Sequence, residues 1–228
     1  MRLLLSLLLV GVSYAMTSAQ DVQQNTALAQ ISGRVLDGDG KPVRGASVCA
    51  NSRPAGISGV CAPSRAGGKF TIHMLKPGLE YIVFASKRED YYPFPTPGFY
   101  DAPPGTRVKV KLEEGRALQD VEVRLGPKAG RLVGTVINAE TNEVLKQFRL
   151  LACRDDRPED CIAAGSGDKT GRFNLLVPTV PFSIKISAPG FEDWYGSESP
   201  REQPAALLVG SGTTMELNIF LRPIARVK

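Results

Sequence analysis

The segment from Ile31 to Val48, ISGRVLDGDGKPVRGASV, constrains the fold of this chain more than any other. Apolar and polar residues alternate from Ile31 to Val35, which is the period of a half-buried β-strand. The Asp-Gly-Asp-Gly run and Pro42 favour a tight turn, because glycine accepts positive φ and proline fixes φ. A second strand is predicted to begin at Ser47. The segment therefore predicts a strand, a turn and a second strand, paired as a β-hairpin.

A similar pattern recurs in the segment 131–151, RLVGTVINAETNEVLKQFRLL. Gly134-x-Val136 repeats Gly33-x-Val35, and Thr141-Asn142 takes the place of the glycine-rich turn. The spacing of roughly one hundred residues is that of a duplicated domain and not of a solenoid repeat. The sequence thus predicts two units, at 31–127 and 128–228.

Further short alternating segments fill both units, and none shows a sustained helical period. Six or seven short strands in each unit, separated by turn signals, predict an all-β fold of two tandem Greek-key β-sandwiches. In the strand 69–75 we expect Phe70, Ile72 and Met74 to face the core. The other predicted strands are 80–86, 107–112, 120–125, 131–137, 147–153, 172–177, 182–188, 205–209 and 216–221.

The N-terminal residues 1–19 have the pattern of a secretory signal peptide. A basic start is followed by an apolar run from Leu3 to Val12 and then by small residues at two cleavage-site positions. The apolar run is too short to cross a bilayer, although an N-terminal anchor is the alternative. Residues 20–30 are expected to form a flexible tail. The protein is therefore predicted to be exported to the periplasm, the cell surface or the medium, with no transmembrane segment.

Four cysteines in an exported chain are expected to be paired. They fall two to each unit, with the first of each pair at the end of a predicted strand and the second in the loop that follows. The simplest pairing is Cys49 with Cys61 and Cys153 with Cys161. A zinc site formed by all four cysteines is the alternative, but their spacings are not of the short CxxC type.

The motif of the first segment resembles that of the carboxypeptidase regulatory-like domain. The shared pattern is G-x-V-x-D-x-x-G-x-P-V-x-G-A-x-V, which runs from Gly33 to Val48. The second unit supplies D-x-x-G-x-F from Asp168 to Phe173 and A-x-G-F from Ala188 to Phe191. The first unit lacks the Asp of D-x-x-G-x-F, and the second lacks the Gly-Pro of the first turn. The resemblance implies two tandem sandwiches of the transthyretin-like, or prealbumin-like, type, and it indicates fold more than function.

No catalytic or metal site is predicted, and no cofactor. His73 is the only histidine and is expected on the outward face of a strand, so a Ser-His-Asp triad would have to be built on it. The zinc carboxypeptidase domain that gives the family its name is missing, as are the several His and Arg residues of transthyretin-like hydrolases. The run Asp37-x-Asp39-Gly40 resembles the start of a calcium loop, but no acidic residue completes it at the expected distance.

Each unit places a long aromatic loop after the same strand, at 90–104 in the first and 189–204 in the second. Rigid aromatic loops at one end of a sandwich can plug the core, or can bind a sugar or a peptide. We expect a partner surface formed by Tyr91, Tyr92, Phe94, Trp194 and Tyr195.

Three functions remain open for such a chain. The first is a non-catalytic secreted or envelope module that binds a protein or glycan partner through the aromatic loops. The second is a structural spacer or stalk, and the third is an exported hydrolase. The net charge is only +5, and the basic residues of 107–112 alternate with apolar ones as on a solvated strand face, so no nucleic-acid partner is predicted.

Overall fold

The structure is a computed structural model and describes residues 28–53, 59–114, 116–164, 170–196 and 206–225. The predicted signal peptide 1–19 and most of the predicted tail 20–30 lie outside the described residues. Within the described ranges, no helix has the length and apolar character needed to span a membrane.

The first part of the chain forms two facing sheets. One sheet has the order β4-β1-β7, and the other has the order β3-β2-β5-β6. Apolar side chains of both sheets meet in one core, with Ile31 and Ile72 from the first sheet and Val48 and Val83 from the second. We refer to these strands together as the first sandwich. They are β1 (Ala29–Leu36), β2 (Ser47–Arg53), β3 (Val60–Pro63), β4 (Lys69–Leu75), β5 (Glu80–Ser86), β6 (Arg107–Lys111) and β7 (Leu118–Arg124).

The following strands form a second pair of sheets, the second sandwich. Strand β8 lies between β11 on one side and β13 and β14 on the other, while the facing sheet has the order β10-β9-β12. Leu132, Leu150 and Ile184 are fully or almost fully buried between these sheets. The strands are β8 (Gly130–Asn138), β9 (Arg149–Arg154), β10 (Cys161–Ala164), β11 (Arg172–Val177), β12 (Phe182–Ser187), β13 (Thr214–Glu216) and β14 (Ile219–Leu221).

The all-β sandwich fold predicted from the sequence is confirmed. Helical structure in the described ranges is limited to two short 3-10 turns, Ala66–Gly68 and Arg88–Asp90. The two sandwiches share a pairing pattern, in which the first strand pairs antiparallel with one neighbour and parallel with the last strands.

Two glycines occupy the same place in the two sandwiches. A Cβ atom on Gly33 would lie 1.8 Å from the carbonyl oxygen of Val121, and one on Gly134 would lie 1.8 Å from that of Leu217. At both positions the parallel last strand approaches the first strand too closely for any side chain. The Gly-x-Val motif that recurs in the sequence therefore marks a close backbone approach.

The predicted hairpins between the first two strands of each unit are wrong. Strand β1 pairs with β4 and β7, whereas β2 pairs with β3 and β5 in the opposite sheet. The turn after β1 closes locally, since Val43 N–H donates to the carbonyl of Val35, and the chain then crosses between sheets. Strands β8 and β9 are separated in the same way. Alternation identifies a half-buried strand, but it does not reveal which neighbour the strand pairs with.

Both predicted disulfides, Cys49–Cys61 and Cys153–Cys161, are present. The second cysteine of each pair was expected in a loop, but Cys61 lies on β3 and Cys153 faces Cys161 on β10. Each bridge thus joins residues directly opposite each other on adjacent antiparallel strands. Strands β3 and β10 are only four residues long, which is why their pattern was not recognised in the sequence.

The expected inward position of Met74 is wrong. Phe70 and Ile72 are buried as predicted, but Met74 is 68% exposed and has a φ of +60°, and Leu75 takes the inward position instead. The pairing of β1 with β4 shifts between Ala29 and Ile31, so one extra residue is accommodated on β4. A bulge of this kind reverses the alternation beyond it.

The ends of the chain differ from the predictions in smaller ways. Ala29 and Gln30 belong to β1 and not to the tail. Residues 206–209 contain only an isolated bridge between Leu207 and Phe182 where a strand was expected over 205–209. The predicted last strand 216–221 is divided into β13, which pairs with β8 as far as Val133, and β14, which pairs with it again from Val136.

Candidate functional site: the aromatic loops

The first aromatic loop, residues 90–104, leaves the first sandwich after β5 and crosses to the second. Its base is closed by reciprocal backbone hydrogen bonds of 3.0 Å between Lys87 and Tyr92. Lys87 Nζ also forms an ion pair with Asp90, 2.5 Å away. Beyond this base, Pro93 and Pro95 are buried, so the loop has a fixed course and is not a free surface segment.

Phe99 lies in the core of the second sandwich, although it follows the strands of the first in sequence. Its side chain is 0% exposed and packs among the apolar residues that surround Leu132 and Phe182. The ring of Tyr100 meets that of Phe99 edge to face, with 4.9 Å between the centroids. The Tyr100 hydroxyl reaches β11, where it donates to a backbone carbonyl. This half of the loop plugs a core, and the core is that of the neighbouring sandwich.

Asp101 extends this contact through charge. Its carboxylate accepts hydrogen bonds from Arg154, at 3.1 Å, and from Arg157, at 3.2 Å. Arg154 is 4% exposed and also makes two hydrogen bonds, of 2.8 and 2.7 Å, to the carboxylate of Asp156. The hydrogen bonds from Arg154 lower the pKa of Asp156. The same bonds, foremost those to Asp156, raise the pKa of Arg154 and keep the buried guanidinium charged.

Gly98 allows the loop to approach this cluster. It has a φ of +81°, and a Cβ atom built on it would lie only 1.9 Å from an Asp160 carboxylate oxygen. Asp160 is held by Arg157, at 3.5 Å. A glycine is required here both for backbone conformation and for space.

Tyr91 lies in a polar network where the same loop meets the second sandwich. We refer to this region of contact between the first aromatic loop and the second sandwich as the junction. Its ring is covered by the guanidinium of Arg131, 4.8 Å from the centroid, and its hydroxyl lies 3.0 Å from the Thr214 hydroxyl. Arg131 also donates to the Arg88 carbonyl and, at 3.0 Å, to the side chain of Asn174. The backbone carbonyl of Tyr91 accepts a hydrogen bond from Ala129 N–H. This predicted partner residue therefore connects the loop to β8, β11 and β13.

Tyr92 and Phe94 pack on the first sandwich. Tyr92 also contacts the linker, residues 125–129 between β7 and β8. Tyr92 is half-buried against the first core, and Lys128 lies over its ring at 5.4 Å. Burial, followed by the charge of Asp37, raises the pKa of Tyr92. Phe94 is 45% exposed and contacts Phe84 of β5, with ring centroids 4.4 Å apart. Phe94 is thus the most open aromatic ring of this loop.

Trp194 and Tyr195 belong to the second aromatic loop, residues 189–204, of which the structure describes 189–196. Trp194 is half-buried against the second core and pairs with Ile186 through reciprocal backbone hydrogen bonds of 2.9 Å. Lys185 lies over the Tyr195 ring at 4.9 Å and forms a 2.7 Å ion pair with Asp193. The hydrogen bond from Lys185 lowers the pKa of Asp193, and the same bond raises that of Lys185.

The five predicted partner residues thus have different surroundings. Tyr91 contacts the junction and Tyr92 the linker. The ring of Phe94 packs on Phe84 of β5. Trp194 and Tyr195 lie beside β12. The chemistry offered by these groups is aromatic packing, hydroxyl hydrogen bonding and cation–π contact. In the described ranges, no three His, Cys, Asp or Glu residues converge to hold a metal ion, and His73 is exposed on β4.

The sequence reading missed the polar residues that hold the junction, namely Arg154, Asp101, Asn174 and Thr214. Only Arg154 could have been recognised from the sequence pattern. In β9, Leu150, Ala152 and Arg154 occupy alternate positions and share the buried face. A charged residue at a core position requires a nearby carboxylate, which Asp156 and Asp101 supply. Asn174 and Thr214 carried no such signal, because their partners, Arg131 and Tyr91, are distant from them in sequence.

Comparison of the sequence with protein-family models and with curated proteins gave no match. Solved structures that align with this chain include the TIE protein of Bacillus anthracis, at 13% identity and a TM-score of 0.34, where 87% of this chain and 34% of that chain are covered. A streptococcal ancillary pilin aligns at 12% identity and a TM-score of 0.34, covering 89% of this chain and 64% of that chain.

A shaft pilin of Lactobacillus rhamnosus aligns at 12% identity with a TM-score of 0.35, covering 89% of this chain and 100% of that chain. This chain therefore spans about a third of the length of the first of these structures and just under two thirds of the second.

Proposed function

We propose that this chain is a non-catalytic module of an exported or cell-envelope protein. Two tandem sandwiches of the carboxypeptidase regulatory-like type, at 31–127 and 128–228, would be held in one fixed arrangement and bind a protein or glycan partner through the aromatic loops. The observation that carries the proposal is the burial of Phe99, which follows β5 of the first sandwich, in the core of the second.

The pairing pattern supports the assignment to tandem copies of one domain type. In both sandwiches the first strand has an antiparallel and a parallel neighbour, and the disulfide joins the same two strands. Gly33 and Gly134 occupy equivalent positions of close approach. These features accompany the Gly-x-Val and Gly-Phe motifs on which the family resemblance rests.

Export is supported by the signal-like residues 1–19 and by the two disulfides, since disulfides persist in oxidising compartments. A non-catalytic role is supported by the surroundings of His73, which is exposed and lies on a sheet away from the aromatic loops. The groups of the loops are suited to binding, because tyrosine and tryptophan give a large contact area with few rotatable bonds.

Phe94 and Tyr195 are the loop aromatics best placed to contact a partner. Phe94 has the largest exposed fraction among the aromatic residues of the first loop, and Tyr195 makes its described contacts with the surface residues Lys185 and Asp193. Tyr91, Tyr92 and Trp194 would contribute less to binding, since each packs against the junction or a core.

A structural spacer is the second candidate, and the same burial of Phe99 and Tyr100 favours it. A spacer must keep the distance between its ends, and a loop plugged into the neighbouring core restrains the two sandwiches against bending. The two candidates differ in whether the exposed rings of the loops carry any binding energy.

The experiment compares partner retention by the mature protein and by the double variant Phe94→Ala/Tyr195→Ala, using the envelope fraction of the native cells. Retained proteins and glycans are both analysed, and the matched control is Phe220→Ala, which removes an exposed ring of β14. The binding proposal predicts that the double variant loses the retained partner while its melting temperature stays within a few degrees of the wild type. Equal retention by all three proteins would instead support the spacer.

A further inference from the structure

The edge strand β6 carries a row of cations on one face of the first sandwich. Val108 and Val110 turn inward and pack against the core, so the side chains of Arg107, Lys109 and Lys111 share the outward face. Residues two apart on a strand are about 6.8 Å apart, so the three charges form an evenly spaced line. We refer to Arg107, Lys109 and Lys111 as the cationic row.

The cationic row is not neutralised by the described part of the protein. None of its three members forms an ion pair with a described carboxylate. Glu80 lies directly across from Lys111 on β5 but is not within ion-pairing distance of it. By contrast, Arg124, Arg131 and Arg154 each have a partner in their own neighbourhood. The charge of the row is therefore available to an external anion.

An apolar surface adjoins the row at its Arg107 end. Arg107 is directly opposite Phe84 on β5, and the exposed ring of Phe94 rests against Phe84. Strand β6 is the last strand of its sheet, so no further strand of that sheet covers its outer edge. The result is a line of three cations that ends beside an open aromatic ring.

We propose that the cationic row binds an acidic polysaccharide, a polymer that carries a carboxylate on its sugars. Such a polymer matches both parts of the surface, because its carboxylates complement the evenly spaced cations and the C–H face of a sugar ring packs against an aromatic ring. A duplex nucleic acid presents a phosphate backbone on its outside and gives Phe94 nothing to pack against. This inference shares Phe94 with the partner surface proposed above, but its test changes only Arg107, Lys109 and Lys111, which belong to a strand and not to the aromatic loops.

The test measures binding of the mature protein to polygalacturonate, with neutral dextran and duplex DNA as comparison polymers. The row variant is Arg107→Gln/Lys109→Gln/Lys111→Gln. Its matched control is Arg65→Gln/Lys76→Gln/Lys146→Gln, which removes the same charges from exposed positions elsewhere. Circular dichroism confirms that both variants keep the strand content of the wild type.

The wild type should bind polygalacturonate but not dextran, and the row variant should bind it about tenfold more weakly, while the control changes by less than about threefold. Binding should also weaken as salt is raised. Equal losses in the two variants would overturn the proposal, because net charge alone would then explain the binding. It is overturned as well if duplex DNA binds as tightly as polygalacturonate with the same dependence on the row.

Failure of the wild type to bind polygalacturonate would also contradict the proposal. Self-association of the row variant would then assign Arg107, Lys109 and Lys111 to the protection of an exposed sheet edge.

Discussion

The hydroxyl of Tyr100 donates a hydrogen bond to the backbone carbonyl of Leu176, with 2.6 Å between the two oxygens. Tyr100 lies in the loop that leaves the first sandwich, and Leu176 lies on β11 of the second. Burial raises the pKa of Tyr100, so the phenol remains a protonated donor throughout the neutral range. Together with Phe99, this bond makes the first aromatic loop a structural part of the second sandwich.

Removal of the Phe99 ring should destabilise the second sandwich. The side chain is fully buried, so Phe99→Ala leaves a cavity and is expected to lower the free energy of unfolding by about 3–5 kcal/mol. Phe220→Ala is the matched control, because that ring is 51% exposed and its loss should cost less than about 1 kcal/mol. Urea unfolding monitored by circular dichroism gives both values. Similar stabilities for the two variants would mean that Phe99 is not a core residue.

A methyl group at Gly98 should also disturb the junction. Gly98 and Gly190 have nearly the same φ, +81° and +84°, but only Gly98 lies against another group, the Asp160 carboxylate. Gly190→Ala should therefore cost roughly 1–2 kcal/mol for the left-handed backbone alone. Gly98→Ala should cost this amount and a further steric contribution. Thermal unfolding of the two variants measures the difference. Equal losses of stability would mean that Gly98 does not lie against the Asp160 carboxylate.

The Arg154–Asp156 contact should make stability depend on pH in the acid range. The pKa of Asp156 is lowered on folding, chiefly by the hydrogen bonds from Arg154. A carboxylate of this kind stabilises the fold above its unfolded pKa of about 3.9, and the stabilisation disappears as the pH falls through the lower folded value. Asp156→Asn should thus be less stable than the wild type at pH 7 and equally stable in strong acid.

Chemical denaturation at several pH values between neutral and strongly acid measures this convergence. The control is Asp155→Asn, which removes the neighbouring exposed carboxylate and should leave the pH dependence of the wild type intact. If the difference in the free energy of unfolding between Asp156→Asn and the wild type stayed constant across the acid range, the charge of Asp156 would not contribute to stability.

The two disulfides should each be local. Peptide mapping of the exported protein under non-reducing conditions is expected to find Cys49 joined to Cys61 and Cys153 joined to Cys161, with no free thiol. Replacing either pair by alanine should cost about 2–3 kcal/mol in the chain-entropy view, since each bridge closes a short loop. Detection of a bridge between the two sandwiches would contradict both the pairing and the separation of the two cores.

Much of the fold could be predicted from alternation and turn residues. The strands Glu80–Ser86 and Arg172–Val177 have the predicted bounds, because both are rich in apolar residues and glycine or proline stands close to their ends. The inward position of Met74 was mispredicted because the bulge on β4 is set by its pairing with β1 and not by local sequence. The pairing of β1 with β4 and β7 likewise depends on contacts distant in sequence.

The aromatic character of the loops was visible in the sequence, but their separate roles were not. Phe94 and Phe99 look alike in a proline-rich segment, yet one ring is partly open to solvent and the other is enclosed by the second core. The difference arises from residues of β8, β9 and β12 that enclose Phe99, and sequence alone does not indicate that these strands lie next to the loop. The assignment of Tyr91, Tyr92, Phe94, Trp194 and Tyr195 to a partner surface remains a prediction.

The contacts of Phe99 and Tyr100 lead us to propose that the first aromatic loop fixes the two sandwiches relative to each other. Residual dipolar couplings measured by NMR on the mature protein test it most directly, because backbone amides of β1–β7 and of β8–β14 report the alignment of each sandwich independently. We expect one alignment tensor to fit both sets of couplings in the wild type, and two different tensors to be needed for Phe99→Ala. Two different tensors in the wild type would contradict it.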